Sequence, residues 1–105
     1  SLKPMDIWHD RAVFHFLTEQ SERAVYVKQI RRSLCPNGFV VVATFAEDGP
    51  TRCSALPVVR YSPLTLHDEL GESFRLLEDV REQHLTPSGA TQSFVYCVFQ
   101  FTPHD

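Results

Sequence analysis

The chain has 105 residues, of which 43% are hydrophobic and 22% are charged, a composition typical of a single globular domain. Its formal net charge of −3 gives no broad basic surface, and its longest apolar run, Phe39 to Phe45, is far shorter than the roughly 20 residues of a membrane-spanning helix. The three cysteines are scattered and predict no disulfide framework. We therefore expect a cytoplasmic protein without a nucleic-acid or membrane partner.

The first predicted element is a short extended segment, Met5 to His9, because Ile7 and Trp8 favour β-structure. The dense apolar cluster from Ala12 to Leu17 predicts one or two helical turns packed against a core. A strand over the same residues stays open, because short apolar runs fit both structures.

A clearer helix is predicted from Ser21 to Leu34, with Ser21 as its N-cap. Apolar residues recur there at helical spacing, at Tyr26, Val27, Ile30 and Leu34. Pro36-Asn37-Gly38 ends the helix, because proline lacks a backbone donor and Asn and Gly adopt left-handed conformations. Phe39 to Phe45 follows at once and is apolar on both alternating faces, which is typical of a strand covered on both sides.

The second half predicts a loop, a short helix and a hairpin. The loop runs from Glu47 to Pro57, and Ser62 begins a helix over residues 63–70. Residues 74–85 carry enough charge for an exposed edge strand, whereas residues 93–101 are apolar on both faces and belong inside a sheet. The whole pattern predicts a mixed α/β sheet that ends in an antiparallel hairpin.

Three stretches resemble the C-terminal half of the class I S-adenosylmethionine-dependent methyltransferases, and the third resembles one bacterial subgroup of them. They are Asp6 to Leu17, Tyr26 to Phe39, and Thr44 to Pro50 with Cys53 to Pro57 and Arg60 to Ser62. The resemblance implies a partial Rossmann-like fold in which residues 1–105 form one incomplete domain. It also implies the family's strand order 4-5-7-6 and direct transfer of a methyl group from S-adenosylmethionine.

The sequence departs from the family in the cofactor motif. The family binds its cofactor with a glycine-rich loop after the first strand, but this chain has four glycines and no G-x-G. The first three strands of the family have no counterpart here. We therefore expect the chain alone to be inactive and to bind S-adenosylmethionine weakly or not at all.

The resemblance places the candidate site just after the family's fourth strand. The cofactor-binding candidates are Trp8, His9, Asp10, Arg11 and Phe14, and His9 and Asp10 are also the catalytic candidates as proton acceptors. The substrate-binding candidates are His15, Arg52 and Cys53. Structural alternatives stay open: Asp10 caps the next helix and pairs with Arg11, Phe14 and His15 belong to the core, and Arg52 and Cys53 lie in an ordinary loop.

Other classes of function are less well supported by the sequence. Cys53 and Arg60 are spaced as C-x6-R, one residue longer than the loop of cysteine phosphatases, and a small α/β hydrolase would need Cys53 or a serine as nucleophile. No histidines or cysteines have tight metal-ligand spacing, so no metal is predicted. The methyl acceptor, a small molecule or a protein, is not identified by the sequence.

A non-catalytic module that binds itself or a partner is the main alternative. Without the family's first strand beside it, Asp6 to His9 would be an open sheet edge, and such edges pair readily with other chains. We therefore expect a homodimer or a higher oligomer.

Overall fold

The computed structural model describes residues 5–53 and 55–103. Its strands are β1 (Met5–Arg11), β2 (Leu34–Phe45), β3 (Arg52–Cys53), β4 (Leu56–Pro57), β5 (Phe74–Leu85) and β6 (Thr91–Phe101). Its helices are α1 (Gln20–Ser33) and α2 (Pro63–Leu70), and a single 3-10 turn covers Phe14–Phe16.

The main sheet has four strands in the order β1-β2-β6-β5. Strand β1 runs parallel to β2, whereas β6 is antiparallel to both β2 and β5. Strands β3 and β4 form a separate two-stranded ribbon. Since β1, β2, β5 and β6 correspond to the expected family strands 4, 5, 6 and 7, the mixed α/β class and the order 4-5-7-6 are confirmed.

The main core lies between the sheet and the two helices. Alternate residues of β2 and β6 point to this side, including Val40, Val42, Val95 and Cys97, and Ile30 of α1 packs among them. The opposite face carries a smaller cluster of Ala43, Phe45 and Phe94, with Ala12, Cys53, Val58 and Tyr96 packed against it. We call this second side the open face, because neither described helix covers it.

The second half of the chain matches its sequence signals closely. Helix α2 has the predicted bounds, and Ser62 Oγ accepts a hydrogen bond from the Thr65 N–H at 3.1 Å. Gly71, with φ of +99°, ends that helix. Strand β5 also has the predicted bounds and lies at the edge of the sheet. Local turn and capping signals were therefore sufficient to predict the bounds of α2 and β5.

Two boundaries in the first half differ from the sequence prediction. The N-cap of α1 is Glu19 rather than Ser21, because the Glu19 N–H is satisfied by Glu22 Oε1 at 3.2 Å. The expected one or two turns over residues 12–17 reduce to the 3-10 turn, and β1 extends to Arg11.

Pro36-Asn37-Gly38 lies within strand β2 rather than in a turn before it. Asn37 has a φ of +68°, and the pairing of β1 with β2 shifts register between Met5 and Ile7. A Cβ atom at Gly38 would lie 2.9 Å from the carbonyl oxygen of Asp6. The absence of a side chain at Gly38 therefore lets β1 approach β2 closely at this irregular point.

No helix among residues 5–53 and 55–103 combines the length and the apolar character needed to cross a membrane.

Candidate functional site

Strand alternation divides the predicted site residues of β1 between two sides of the sheet. Trp8 packs against the main core and Asp10 bonds to α1, so both lie on the helix-covered side. His9 is exposed, and Arg11 contacts residues of the open-face cluster. The site residues that were predicted together thus form two separate groups.

Asp10 is a buried carboxylate whose two oxygens are both occupied. Its Oδ1 accepts a hydrogen bond from the Val13 N–H at 3.0 Å, and its Oδ2 accepts one from the Phe14 N–H at 3.1 Å. The Tyr26 hydroxyl also donates to Oδ2, and the Trp8 indole N–H donates to Tyr26 Oη at 3.0 Å. This network fixes the 3-10 turn and joins it to α1, which favours the capping alternative for Asp10.

The same network affects Tyr26. Burial raises the pKa of the Tyr26 hydroxyl, and the Asp10 carboxylate that it bonds raises it further. The hydroxyl therefore stays protonated and keeps donating to Asp10. Sequence analysis placed Tyr26 on the buried face of a helix but could not indicate its polar partner, which lies 16 residues away.

Phe14 is fully buried between two tyrosines. Its ring centroid lies 5.1 Å from that of Tyr26 and 5.5 Å from that of Tyr61. These contacts join the 3-10 turn to α1 and to the segment before α2. The geometry favours the core alternative for Phe14, and its cofactor-binding role stays a prediction.

His15 is also fully buried and connects three segments. Its Nδ1 accepts a hydrogen bond from the Phe45 N–H at 3.1 Å, and its carbonyl oxygen accepts one from the Val59 N–H at 2.8 Å. Since Nδ1 accepts, the neutral ring carries its proton on Nε2, which has no partner among the described residues. This position favours a structural role over the predicted substrate contact.

Burial lowers the pKa of the His15 imidazole, an effect that the Asp10 carboxylate partly offsets. Below the unfolded-state pKa of about 6.5, the His15 imidazole binds a proton in the unfolded chain, whereas burial disfavours that proton in the folded chain. We therefore expect the free energy of unfolding to fall as the pH falls through that value. In His15→Asn, whose Oδ1 can replace Nδ1 as acceptor, this dependence should be weaker.

Urea unfolding of both proteins between about pH 7.5 and about pH 5 measures the effect. His9→Asn is the matched control, because His9 is exposed and its replacement should leave the pH dependence of the parent chain unchanged. Equal pH dependence in His15→Asn and in the parent chain would contradict the assignment to His15.

On the open face, Arg11 is held by two aromatic residues of β6. Its Nε–H donates to Tyr96 Oη at 2.8 Å, and its guanidinium carbon lies 5.2 Å from the centroid of the Phe94 ring. The hydrogen bond to Tyr96 raises the pKa of Arg11, so the guanidinium is always charged. The sequence predicts only an interior strand for Phe94 and Tyr96 and does not indicate their contacts with Arg11. The sequence signal for this pair is the spacing of Phe94 and Tyr96, which lie two residues apart and therefore share one face of the strand.

The turn after Arg11 marks the carboxyl end of β1. Ala12 has a φ of +62°, a left-handed conformation that costs a non-glycine residue about 1 kcal/mol. Its N–H donates to the Ala43 carbonyl oxygen at 2.8 Å, which holds the turn against β2. In open α/β sheets, ligands bind outside the carboxyl ends of the parallel strands, and here those are the ends of β1 and β2.

The β3–β4 ribbon brings Cys53, one of the two predicted loop residues, to the open face of the sheet. Cys53 is half-buried and packs against the cluster that contains Phe45 and Phe94. Arg52 is exposed, and its Nη1 donates to the Ala55 carbonyl oxygen at 3.1 Å. The substrate-binding roles of both residues stay predictions.

The described residues, 5–53 and 55–103, enclose no pocket. Within the same residues, no group of three metal-ligating side chains occurs. The described residues therefore do not by themselves form a pocket for a nucleoside cofactor.

The fold is that of part of an S-adenosylmethionine-dependent methyltransferase domain, as comparison with solved structures shows. A methyltransferase of this class from Methanosarcina mazei superposes with a TM-score of 0.75 at 12% identity, over 99% of this chain and 63% of that one. The N-methyltransferase NodS from Bradyrhizobium japonicum gives a TM-score of 0.70 at 14% identity, over 98% of this chain and 54% of that one.

NodS has also been crystallised with S-adenosyl-L-homocysteine, and that structure gives a TM-score of 0.69 at 13% identity, over 98% of this chain and 49% of that one. The chain thus spans less than two thirds of each of these methyltransferases. The sequence matches no family model and no curated protein.

Proposed function

We propose that this chain is the acceptor-side part of a methyltransferase that uses S-adenosylmethionine. The observation that supports the proposal most directly is the sheet order β1-β2-β6-β5, together with the superposition of 99% of the chain on a methyltransferase. The cofactor, when bound, would supply an electrophilic methyl group. A separate set of residues would have to complete its pocket.

Within this proposal, the two groups of candidate site residues have different roles. Asp10, Tyr26 and Phe14 give the segment after β1 its shape. His9, whose ring is exposed on the open face, takes a proton from the methyl acceptor. Arg11 binds an anionic group of the ligand. The free thiols of Cys35, Cys53 and Cys97 are compatible with a reducing compartment, which supports the expected cytoplasmic location.

Calorimetric titration with S-adenosylmethionine and S-adenosylhomocysteine tests the proposal. We expect no saturable heat from the 105-residue chain alone. We expect stoichiometric binding by a protein in which these residues follow an in-frame strand, glycine-rich loop and helix. No binding by either protein would contradict the methyltransferase proposal. Saturable binding by the 105-residue chain would contradict the proposal that separate residues must complete the cofactor pocket.

The alternative, a self-associating module, is favoured by the edge formed by β1. In the described part of the chain, β1 pairs only with β2, so its other side presents unpaired backbone groups. The Ile7 side chain on this strand is 58% exposed. Antiparallel pairing of β1 with β1 of a second copy would satisfy the edge and cover Ile7 through a two-fold interface.

We therefore expect a molar mass by light scattering that rises with concentration towards that of a dimer or a higher oligomer. Ile7→Lys should shift the protein towards the monomer, because it places a charge in the paired edge. Leu64→Lys is the matched control, since Leu64 is 72% exposed on α2 and lies away from the edge. A monomer mass that is independent of concentration refutes this proposal.

A further inference from the structure

Arg11 is an unpaired cation that the fold holds in a fixed position. Its Nε–H is occupied by Tyr96 Oη at 2.8 Å, and its planar group lies over Phe94, 5.2 Å from the ring centroid. Phe94 is only 4% exposed, so this support is part of the folded structure. Among the described residues, no carboxylate lies within ion-pair distance of the guanidinium, although the charge of Glu82 acts on it from farther away.

The remaining donors of Arg11 have a defined geometry. With Nε engaged, the two terminal nitrogens present a pair of parallel N–H groups to solvent, which is the arrangement that binds a carboxylate with two hydrogen bonds. Tyr96 accepts from Arg11 with its oxygen, so its own O–H proton is available to the same anion. The nearby negative charge of Glu82 disfavours a dianion, and this favours a carboxylate over a phosphate.

The surroundings of Arg11 suit an acceptor with an apolar body. The open face beside it includes half-buried Val41 and Val98. His9 lies two residues before Arg11 on the same face of β1, so their Cα atoms are roughly 7 Å apart. An acceptor with its carboxylate on Arg11 would lie on the same face of the sheet as His9.

We infer that Arg11 and Tyr96 form a carboxylate-binding site for the methyl acceptor, on the open face of the sheet. This inference rests on the proposed function for the identity of the ligand, but the site itself can be tested without the cofactor. The carboxylate could in principle come from the amino-acid end of the cofactor, and the experiment separates the two sources.

The experiment is a titration of the 105-residue chain, observed by the NMR signal of the Arg11 Nε–H group. The probe is 4-hydroxybenzoate, which carries a carboxylate and a phenol oxygen on an apolar ring. We expect a saturable shift with a dissociation constant on the order of millimolar. The uncharged analogue 4-hydroxybenzamide should give no saturable shift of this signal.

Arg11→Lys should weaken the binding about tenfold, because lysine cannot form the paired hydrogen bonds, and Tyr96→Phe should weaken it less. Since Arg11→Lys removes the observed signal, the variants are compared through the backbone signals of β1 and β6. Arg31→Lys is the matched control with no expected effect, because Arg31 is an exposed arginine whose guanidinium carbon lies 5.7 Å from the centroid of the Phe101 ring. Circular dichroism confirms that each variant is folded.

Several results would overturn the inference. Equal shifts with the benzoate and the benzamide would show that the site does not select a carboxylate. Undiminished binding of 4-hydroxybenzoate by Arg11→Lys would show that Arg11 does not hold the carboxylate. Tighter binding of inorganic phosphate at the same ionic strength would exclude the carboxylate class. Tighter binding of S-adenosylhomocysteine than of 4-hydroxybenzoate, in competition for the same Arg11 signal, would assign the site to the cofactor. Absence of cofactor binding by the extended protein as well as by the 105-residue chain would instead affect only the proposed methyl transfer.

Discussion

Asp10→Ala is expected to lower the free energy of unfolding by about 2–4 kcal/mol. The substitution leaves the Phe14 N–H buried without an acceptor and removes the partner of the Tyr26 hydroxyl. It also releases the Val13 N–H, which lies closer to solvent. The loss is large for a domain whose total stability is on the order of 5–15 kcal/mol.

Urea unfolding followed by the fluorescence of Trp8, the single tryptophan, measures this change, and Trp8 bonds to the same network. Asp68→Ala is the matched control, because Asp68 is exposed on α2 and its loss should cost no more than about 0.5 kcal/mol. If Asp10→Ala changes stability as little as Asp68→Ala does, the carboxylate is not a structural cap and is free to act as a proton acceptor.

Phe14→Ala is expected to lower the free energy of unfolding by about 3–5 kcal/mol. The side chain is fully buried, and its removal leaves a cavity between Tyr26 and Tyr61. The 3-10 turn, α1 and the segment before α2 meet at this point, so the cavity cannot close by moving one element alone. Thermal or urea unfolding of the purified variant measures the effect.

The neighbouring residue supplies the control for Phe14. Val13 is 54% exposed, so Val13→Ala should change stability by no more than about 0.5 kcal/mol. Phe14→Leu, which keeps most of the buried volume, should cost clearly less than Phe14→Ala. If all three variants are equally stable, Phe14 is not a core residue, and the cofactor-binding prediction gains support.

These two predictions also bear on the site. Asp10 and Phe14 were predicted to contact the cofactor, but the structure uses both to hold the segment after β1 in place. His9 and Arg11, from the same stretch of sequence, have side chains that are free to meet a ligand. We therefore expect substitutions at Asp10 or Phe14 to lower the stability of the protein, whereas substitutions at His9 or Arg11 should leave it folded.

Much of the fold follows from local signals in the sequence. Helix α2 could be placed from Ser62 and Gly71, because a cap and a left-handed terminus depend only on nearby atoms. The hairpin β5–β6 could be placed from a charged segment, a turn and a segment that is apolar on both faces. The resemblance to methyltransferases then supplied the order of the strands, which no local signal contains.

The start of the chain was harder to predict. The apolar cluster after Arg11 fits a helix or a strand equally well, and the buried Asp10 carboxylate limits it to one 3-10 turn. Pro36-Asn37-Gly38 has the composition of a turn, yet the pairing with β1 keeps it inside β2. In the first case the local Asp10 cap decides the structure, and in the second the contact with another strand overrides the local preference.

The sequence by itself determined most element types, the α/β class and the residue types that bear chemistry. Only the tertiary structure decided which of those residues are free to act. Asp10 meets Tyr26 across 16 residues, and Arg11 meets Tyr96 across 85. Strand alternation places neighbours in the sequence, such as Asp10 and Arg11, on opposite faces of one sheet, and their burial and hydrogen bonding then depend on these distant partners.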